Sequence, residues 1–231
     1  MKKYFNLEDE IGQIVTVFPG ASRLFFDNKI DFCCGGNRPL MEAIKTQGLD
    51  SNLILNELNA KYEDFCKKNE EFVDWAKESP EKLVDYIETK HHGYLKEELP
   101  SISEIIFKIL KVHGKAHKEL FEIHKLYNAL RTELEGHLVK EEEFLFPLIK
   151  TSNQKENQQE IIDIIEDLEN EHVMAGDIIK RLRELTNHYT VPKNVCKTYE
   201  LAFRKLSEFE QDIFQHIHLE NNILFRNICS K

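Results

Sequence analysis

The sequence predicts an all-α chain: an antiparallel four-helix bundle preceded by a small helical N-terminal domain. Three observations carry that expectation. The phrase H-x-x-x-E-x-x-x-L-F occurs twice, as His137, Glu141, Leu145, Phe146 and as His216, Glu220, Leu224, Phe225. A lone histidine precedes each copy by nearly the same distance, His92 before His137 and His172 before His216. Each of these positions interrupts an apolar stripe with helical spacing, and residues four apart share one helix face. Two similar units of this kind close into a bundle whose core carries the polar side chains.

The elements follow in order. Residues 1–58 read as a small helical domain: Leu7, Ile11, Ile14, Val15 and Phe18 make one helix face, and Pro19-Gly20 stops it. A short helical piece, ASRLFF, comes next, and then DFCCGGNRPL, the most unusual local text in the chain. Gly35-Gly36 frees the backbone after Cys33 and Cys34, and Pro39 starts a helix through Leu40, Ala43 and Ile44. Thiols at a helix start feel its positive end, so Cys33 and Cys34 are expected to favour reactive thiolate and to serve redox or metal chemistry. A helix capped by Ser51 follows, and residues 59–78 are expected to be a charged linker or helix with apolar anchors.

Residues 79–231 are expected to be the bundle. Ser79-Pro80-Glu81 is a helix start, with Ser as cap and Pro at the first position. The first helix aligns Val84, Ile87, His92, Leu95 and Leu99 and is expected to run to Pro100, with a second segment from Ser101 or Ser103 to Gly114; His91 is placed on a flank. The second helix, from about Lys115 to Ile149, carries Leu130, Leu134, His137, Glu141, Leu145 and Leu148. After the polar turn TSNQKENQQE, the third carries Ile161, Ile165, Leu168, His172, Ala175, Ile179 and Leu182 up to a break at Thr190-Val191-Pro192. The fourth carries Leu206, Phe209, Ile213, His216, Glu220 and Ile223.

A lone histidine on an apolar stripe is usually a hydrogen-bonded core residue. A buried glutamate is costlier, because an ionised carboxylate in the core needs a partner or a metal. Two of them, each four residues from a histidine in a repeated phrase, point to a metal centre ligated by His92, His137, Glu141, His172, His216 and Glu220. Four imidazoles and two carboxylates suit a pair of iron or manganese ions, and the shared carboxylates with open positions favour iron that meets a small molecule. The expected cofactor is two non-haem irons, oxo- or hydroxo-bridged. Structural zinc prefers four closed ligands, often thiolate, and calcium and magnesium prefer oxygen shells. His113 and His117 read as donors behind the ligands or at the mouth of the site, and His124 and His188 as surface. His218, about 200° round the helix from His216, is excluded from it.

Composition narrows the partners. A formal charge of −10 on 231 residues argues against nucleic acid or an anionic membrane as the main partner. The start MKKYFNLEDEIG is not a signal peptide, and no apolar run is long enough for a membrane helix. Five cysteines, an odd number with two adjacent and the rest scattered, do not make a secreted disulfide framework, so a cytoplasmic protein is expected.

Over nearly its whole length the chain resembles the iron–sulfur cluster repair di-iron proteins, the repair-of-iron-centres family. The segment IGQIVTVFPGASRLFFDNKIDFCCGGNRPL is similar to that family's cysteine-containing domain, and YIETKHHGYLKEELP, HLVKEEEFLFPLI, LENEHVMAGDII and HIHLENNILF resemble its hemerythrin-like domain. The resemblance implies the same six ligands with both glutamates bridging, and a cytoplasmic stress protein, often a homodimer. Its partners would be iron–sulfur proteins damaged by nitric oxide or oxidants. Arg226 departs from the family, which more often has Pro there. The activity expected is iron delivery or nitric oxide removal; the alternative is a hemerythrin-like oxygen or nitric oxide carrier or sensor. A ferritin-like oxidase fits less well, because those bundles use Glu-x-x-His and this order is reversed.

Overall fold

A computed structural model describes residues 4–68, 72–151 and 157–229. Parts of the expected linker at 59–78 and of the polar turn after Lys150 therefore lie outside the described residues. Among those described, the fold is all-α with no strand; an isolated antiparallel bridge joins Glu10 to Pro39. The helices are α1 (Ile11–Val17), α2 (Ala21–Asp27), α3 (Leu40–Thr46), α4 (Ser51–Lys68), α5 (Pro80–Ile87), α6 (Gly93–His113), α7 (Glu119–Lys140), α8 (Phe146–Lys150), α9 (Gln158–Leu185), α10 (Lys197–Leu219) and α11 (Phe225–Cys229). Among the described residues, no helix is long and apolar enough to cross a membrane. The chain divides into two compact units, Met1–Leu83 with Phe214–Lys231, and Val84–Ile213.

In the first unit, α1 buries Ile11, Ile14 and Val15 and α3 buries Leu40, Ala43 and Ile44. The cap of α4 is Asp50 and not Ser51: Asp50 Oδ1 accepts the amides of Asn52 and Leu53 at 2.8 and 3.2 Å. A carboxylate one residue earlier meets the free amides of the first turn and their positive field. The buried Asn59 of α4 accepts the amides of Tyr4 and Phe5 at 2.7 and 2.9 Å and donates to the carbonyls of Phe5 and Leu55. One side chain thus pairs backbone groups of a segment that lies outside helix and strand. The last stretch of the chain packs into this unit. Phe214 meets the edges of Phe26 and Phe32, and Arg226 donates to Glu10 Oε2 at 2.7 Å.

In the second unit, α6 packs on α7 and α7 on α9. The stripe of α9 is buried throughout, from Ile161 to Leu182. Two boundaries differ from expectation. Helix α6 passes through Pro100 without a break, because Pro100 is exposed and solvent can take the carbonyl of Lys96 that its missing N–H leaves over. Helix α9 ends earlier, at Leu185, where Asn187, His188 and Tyr189 take left-handed backbone angles and the Thr186 hydroxyl accepts the amide of Tyr189 at 3.1 Å. A left-handed residue ends a helix, and three in a row reverse the chain.

Among the described residues three π-turns punctuate the long helices, at Glu88–His92, Glu141–Leu145 and Glu220–Leu224. Each begins or ends on a residue of the expected ligand set. A π-turn adds one residue to a helical turn, so side chains after it face the core one position later. This accounts for the Leu-Phe of the repeated phrase. Leu145 and Phe146 are both buried, as are Leu224 and Phe225, although neighbours on an α-helix diverge by about 100°. It also moves the core position at the end of the second helix from Leu148 to the fully buried Ile149.

Candidate metal centre

All six residues selected from the repeated phrase are buried, none more than 3% exposed. In the unit Val84–Ile213, His92 Nε2 lies 3.3 Å from Glu141 Oε2 and His137 Nε2 lies 3.4 Å from Glu141 Oε1. The two oxygens of one carboxylate therefore face two different imidazoles. His172 Nε2 is 3.0 Å from His137 Nε2, a separation at which two ring lone pairs repel unless a proton or a cation lies between them. In the other unit, His216 Nε2 lies 2.8 Å from Glu220 Oε1. Both sets belong to buried histidine and glutamate groups that could hold a metal ion.

The outer faces of two rings are tied down. Glu142 Oε1 accepts His92 Nδ1 at 2.8 Å, and Lys96 Nζ donates to both oxygens of Glu142 at 2.7 Å. Glu171 Oε2 accepts His137 Nδ1 at 2.8 Å, and Lys140 donates to its other oxygen. Burial works against the charge on Glu142, but the bonds from Lys96 and His92 outweigh it and hold the carboxyl below its usual range. The bond from His137 does most to lower Glu171, with Lys140 adding to it against some burial, and together they bring it to about 2. An Nδ1–H held by a carboxylate leaves Nε2 as the lone pair facing inward, the tautomer a metal requires. Phe146 stacks on His92 at 5.5 Å and keeps that side of the ring apolar.

The donor set fits iron. It is nitrogen and carboxylate oxygen without thiolate, its imidazoles are preset in the binding tautomer, and a shared carboxylate faces two of them.

The thiols lie elsewhere, in the turn before α3. Asp31 Oδ1 accepts the amides of Cys33 and Gly35, both at 3.2 Å, and the Cys33 thiol at 3.3 Å. The two sulfurs are 3.8 Å apart, with the Cys33 thiol directed at Cys34 and no disulfide between them, and Asp31, Cys33 and Cys34 form a further group that could hold a metal ion. The expected activation of Cys33 is reversed: burial, then its bond with Cys34 and the charge of Asp31, push its thiol well above the usual value. The helix that was to supply a positive field starts only at Leu40.

Asn222 holds this loop. Its Nδ2 donates to the carbonyls of Phe32 and Cys33 at 3.2 and 3.0 Å and lies 3.3 Å from His218 Nδ1. A Cβ at Gly12 or Gly36 would fall 2.4 or 2.3 Å from Asn222 Oδ1, so these two glycines make room for it. His218 is buried against Phe32, and burial pushes its imidazole down to about 4.

His91 corrects the flank assignment. The π-turn buries it beside His92, with Nδ1 3.1 Å from Asp212 Oδ1. His113 and His117 lie together next to Tyr199, and His113 Nε2 is 3.1 Å from Cys196 Sγ. His124 is half-buried against Phe107, and His188 is exposed. The sequence reading missed Glu142, Glu171, Asp212 and Asn222. Glu142 stands in a run of three glutamates and Glu171 beside His172, where charge reads as solvated face; their adjacency to core histidines was the available signal.

Residues 7–62 match the model of ScdA_N, a domain of unknown function, and residues 83–228 match the hemerythrin HHE cation binding domain. The chain is 34% identical over 224 residues to the iron-sulfur cluster repair protein ScdA of Staphylococcus epidermidis, covering 96% of this chain and 98% of that one. It is 30% identical over 224 residues to a probable iron-sulfur cluster repair protein of Haemophilus influenzae, covering 97% and 98%. It is 31% identical over 218 residues to the iron-sulfur cluster repair protein YtfE of Escherichia coli, covering 94% and 95%.

Proposed function

Since the chain belongs to the family of iron–sulfur cluster repair proteins with a hemerythrin HHE domain, we propose that it repairs damaged iron–sulfur clusters through two irons held by His92, His137, Glu141, His172, His216 and Glu220. Two ions bound there would divide the four histidines between them and share Glu141 and Glu220. The observation that carries this reading is the carboxylate of Glu141, whose oxygens face His92 and His137 separately.

Bound there, non-haem iron would supply open positions for nitric oxide or oxygen and a labile metal for a depleted cluster. The chain's own residues make the site ready for it. Glu142 and Glu171 keep the protons of His92 and His137 on Nδ1, so binding need not displace a proton from Nε2. Cys33 and Cys34 serve as the second station, passing electrons or receiving iron. Their grouping with Asp31 favours repair over a simple oxygen or nitric oxide carrier, which has no use for a thiol site.

In this reading residues 79–231 hold all the iron, residues 1–58 hold the thiols, and 59–78 join them. The protein works as a cytoplasmic homodimer whose partners are damaged iron–sulfur proteins. The test is iron content and Mössbauer spectra before and after mixing with a nitric oxide-damaged cluster protein. Two irons per chain and recovery of the client's cluster are expected, with recovery lost and the iron spectrum kept when Cys33 and Cys34 are both changed to Ser. A double variant that repairs at the full rate removes the thiols from the mechanism, and iron bound without any client recovery favours the carrier.

A further inference from the structure

Cys196 stands immediately before α10 as its N-cap residue. Its carbonyl accepts the amides of Tyr199 and Glu200 at 2.9 and 3.3 Å, as a cap's does. Its sulfur meets the amides of Thr198 and Tyr199, the two that an N-cap side chain reaches. A serine or aspartate at this position would accept those bonds as a neutral or anionic oxygen. Sulfur accepts well only as thiolate, and the 23-residue helix behind it favours negative charge there.

On the other side of the sulfur is His113, with Nε2 3.1 Å from Sγ. His113 is the last residue of α6, and a helix C-terminus favours positive charge. Two helix ends of opposite polarity thus meet on one sulfur–imidazole contact. The bond from His113, then those from the Tyr199 and Thr198 amides, push the thiol down to about 7 against slight burial. The other groups facing the pair leave this polarity in place. His117 Nδ1 is held by Glu119 at 3.0 Å, and burial pushes the Tyr199 phenol up to about 12, so that it stays neutral. Glu200 is engaged by Lys197 at 3.0 Å.

Cys196 is exposed, and the sequence around the pair is basic in an otherwise acidic chain: Lys111, Lys115, Lys118, Lys193 and Lys197 are all exposed. An anionic small molecule is favoured at such a thiolate.

We infer that Cys196 and His113 form a sulfur–imidazole pair that exchanges with small carboxylate-bearing disulfides, which makes residue 196 a site of S-thiolation separate from the metal centre. In that exchange the Cys196 sulfur attacks one sulfur of the disulfide, a new S–S bond forms and the old one breaks. The other half leaves as thiolate and takes the proton held on His113. The products are a mixed disulfide at Cys196 and one free small thiol.

The magnitude follows from two opposing factors. At pH 7 the lowered thiol is about half ionised against roughly 1% for an ordinary one, while its lower basicity makes each thiolate about tenfold less nucleophilic, so a net gain of about fivefold remains. The full-length protein is incubated with oxidised glutathione, alkylated, and read peptide by peptide by mass spectrometry, with the exposed Cys66 as internal reference. The mixed disulfide is expected about five times faster at Cys196 than at Cys66. His113→Gln should remove most of that advantage at pH 7, whereas near pH 9.5, where both thiols ionise unaided, Cys196 should no longer outpace Cys66 in either the variant or the native protein. Lys115→Glu with Lys193→Glu should lower the rate with oxidised glutathione relative to the rate with cationic cystamine. Equal rates at Cys196 and Cys66 at pH 7, an unchanged rate in His113→Gln at that pH, or an unchanged ratio in the lysine double variant would each overturn the assignment.

Discussion

The side-chain amide of Asn222 donates to the backbone carbonyl of Cys33 at 3.0 Å, joining the thiol loop to the π-turn that begins with Glu220. The loop has no regular structure of its own, so this bond and its neighbour to the carbonyl of Phe32 fix where the cysteines lie. Asn222→Ala takes a donor from the partly buried carbonyl of Cys33 and leaves that of Phe32 to His218 alone, and it should cost roughly 1–3 kcal/mol of stability. Urea unfolding reads that loss. Ellman's reagent should label Cys33 faster in the variant, and an unchanged labelling rate would show that Asn222 does not hold the loop.

Glu142 and Glu171 support imidazoles without facing the centre of the site. Glu142→Gln or Glu171→Gln should weaken iron binding about 10–100-fold while leaving the same stoichiometry at saturating iron. Glu141→Ala should instead lower the stoichiometry itself, since its oxygens face two histidines. Calorimetric titration with ferrous iron separates the two patterns. Identical behaviour of Glu141→Ala and Glu142→Gln would refute the division of labour.

His216 and His218 are both fully buried, yet only His216 belongs to a group that could hold a metal. His216→Ala should reduce bound iron. His218→Ala should keep it and lower the melting temperature, because a ring packed against Phe32 is lost. Elemental analysis of the purified variants checks the first statement and thermal unfolding the second.

Pro100 sits inside α6 at an exposed position. Pro100→Ala restores an N–H for the carbonyl of Lys96 and should stabilise the protein by about 1–3 kcal/mol, less a few tenths for the greater freedom of the unfolded chain. Iron content should not change. A lower melting temperature would mean that the helix depends on the proline's geometry.

The helices and their inward faces were legible because apolar residues at helical spacing report the core directly, as the stripe from Ile161 to Leu182 does. The six histidine and glutamate positions stood out because one phrase occurs twice. What escaped the sequence depends on partners distant along the chain. His91 is turned inward by the π-turn to meet Asp212, and Cys33 is raised by burial first and then by Cys34 and the charge of Asp31. The π-turns cannot be read from helical spacing, since an inserted residue is recognisable only when both Leu145 and Phe146 are found inside. The contact between His113 and Cys196 spans 83 positions and joins two residues unremarkable in their own neighbourhoods.

The first compact unit takes its residues from both ends of the chain, Met1–Leu83 and Phe214–Lys231. During synthesis the early part emerges first and must wait for the whole of 84–213 before its remaining partners exist. Contacts of such sequence separation form slowly, because a long loop must close before they stabilise anything. Until Phe214 and Asn222 are made, Phe26 and Phe32 lack an apolar cover and the loop of Cys33 lacks its clamp. The nascent thiols are therefore open to oxidation and stray metal during translation, and they become sequestered at the same moment that the turn bearing Glu220 is set in place.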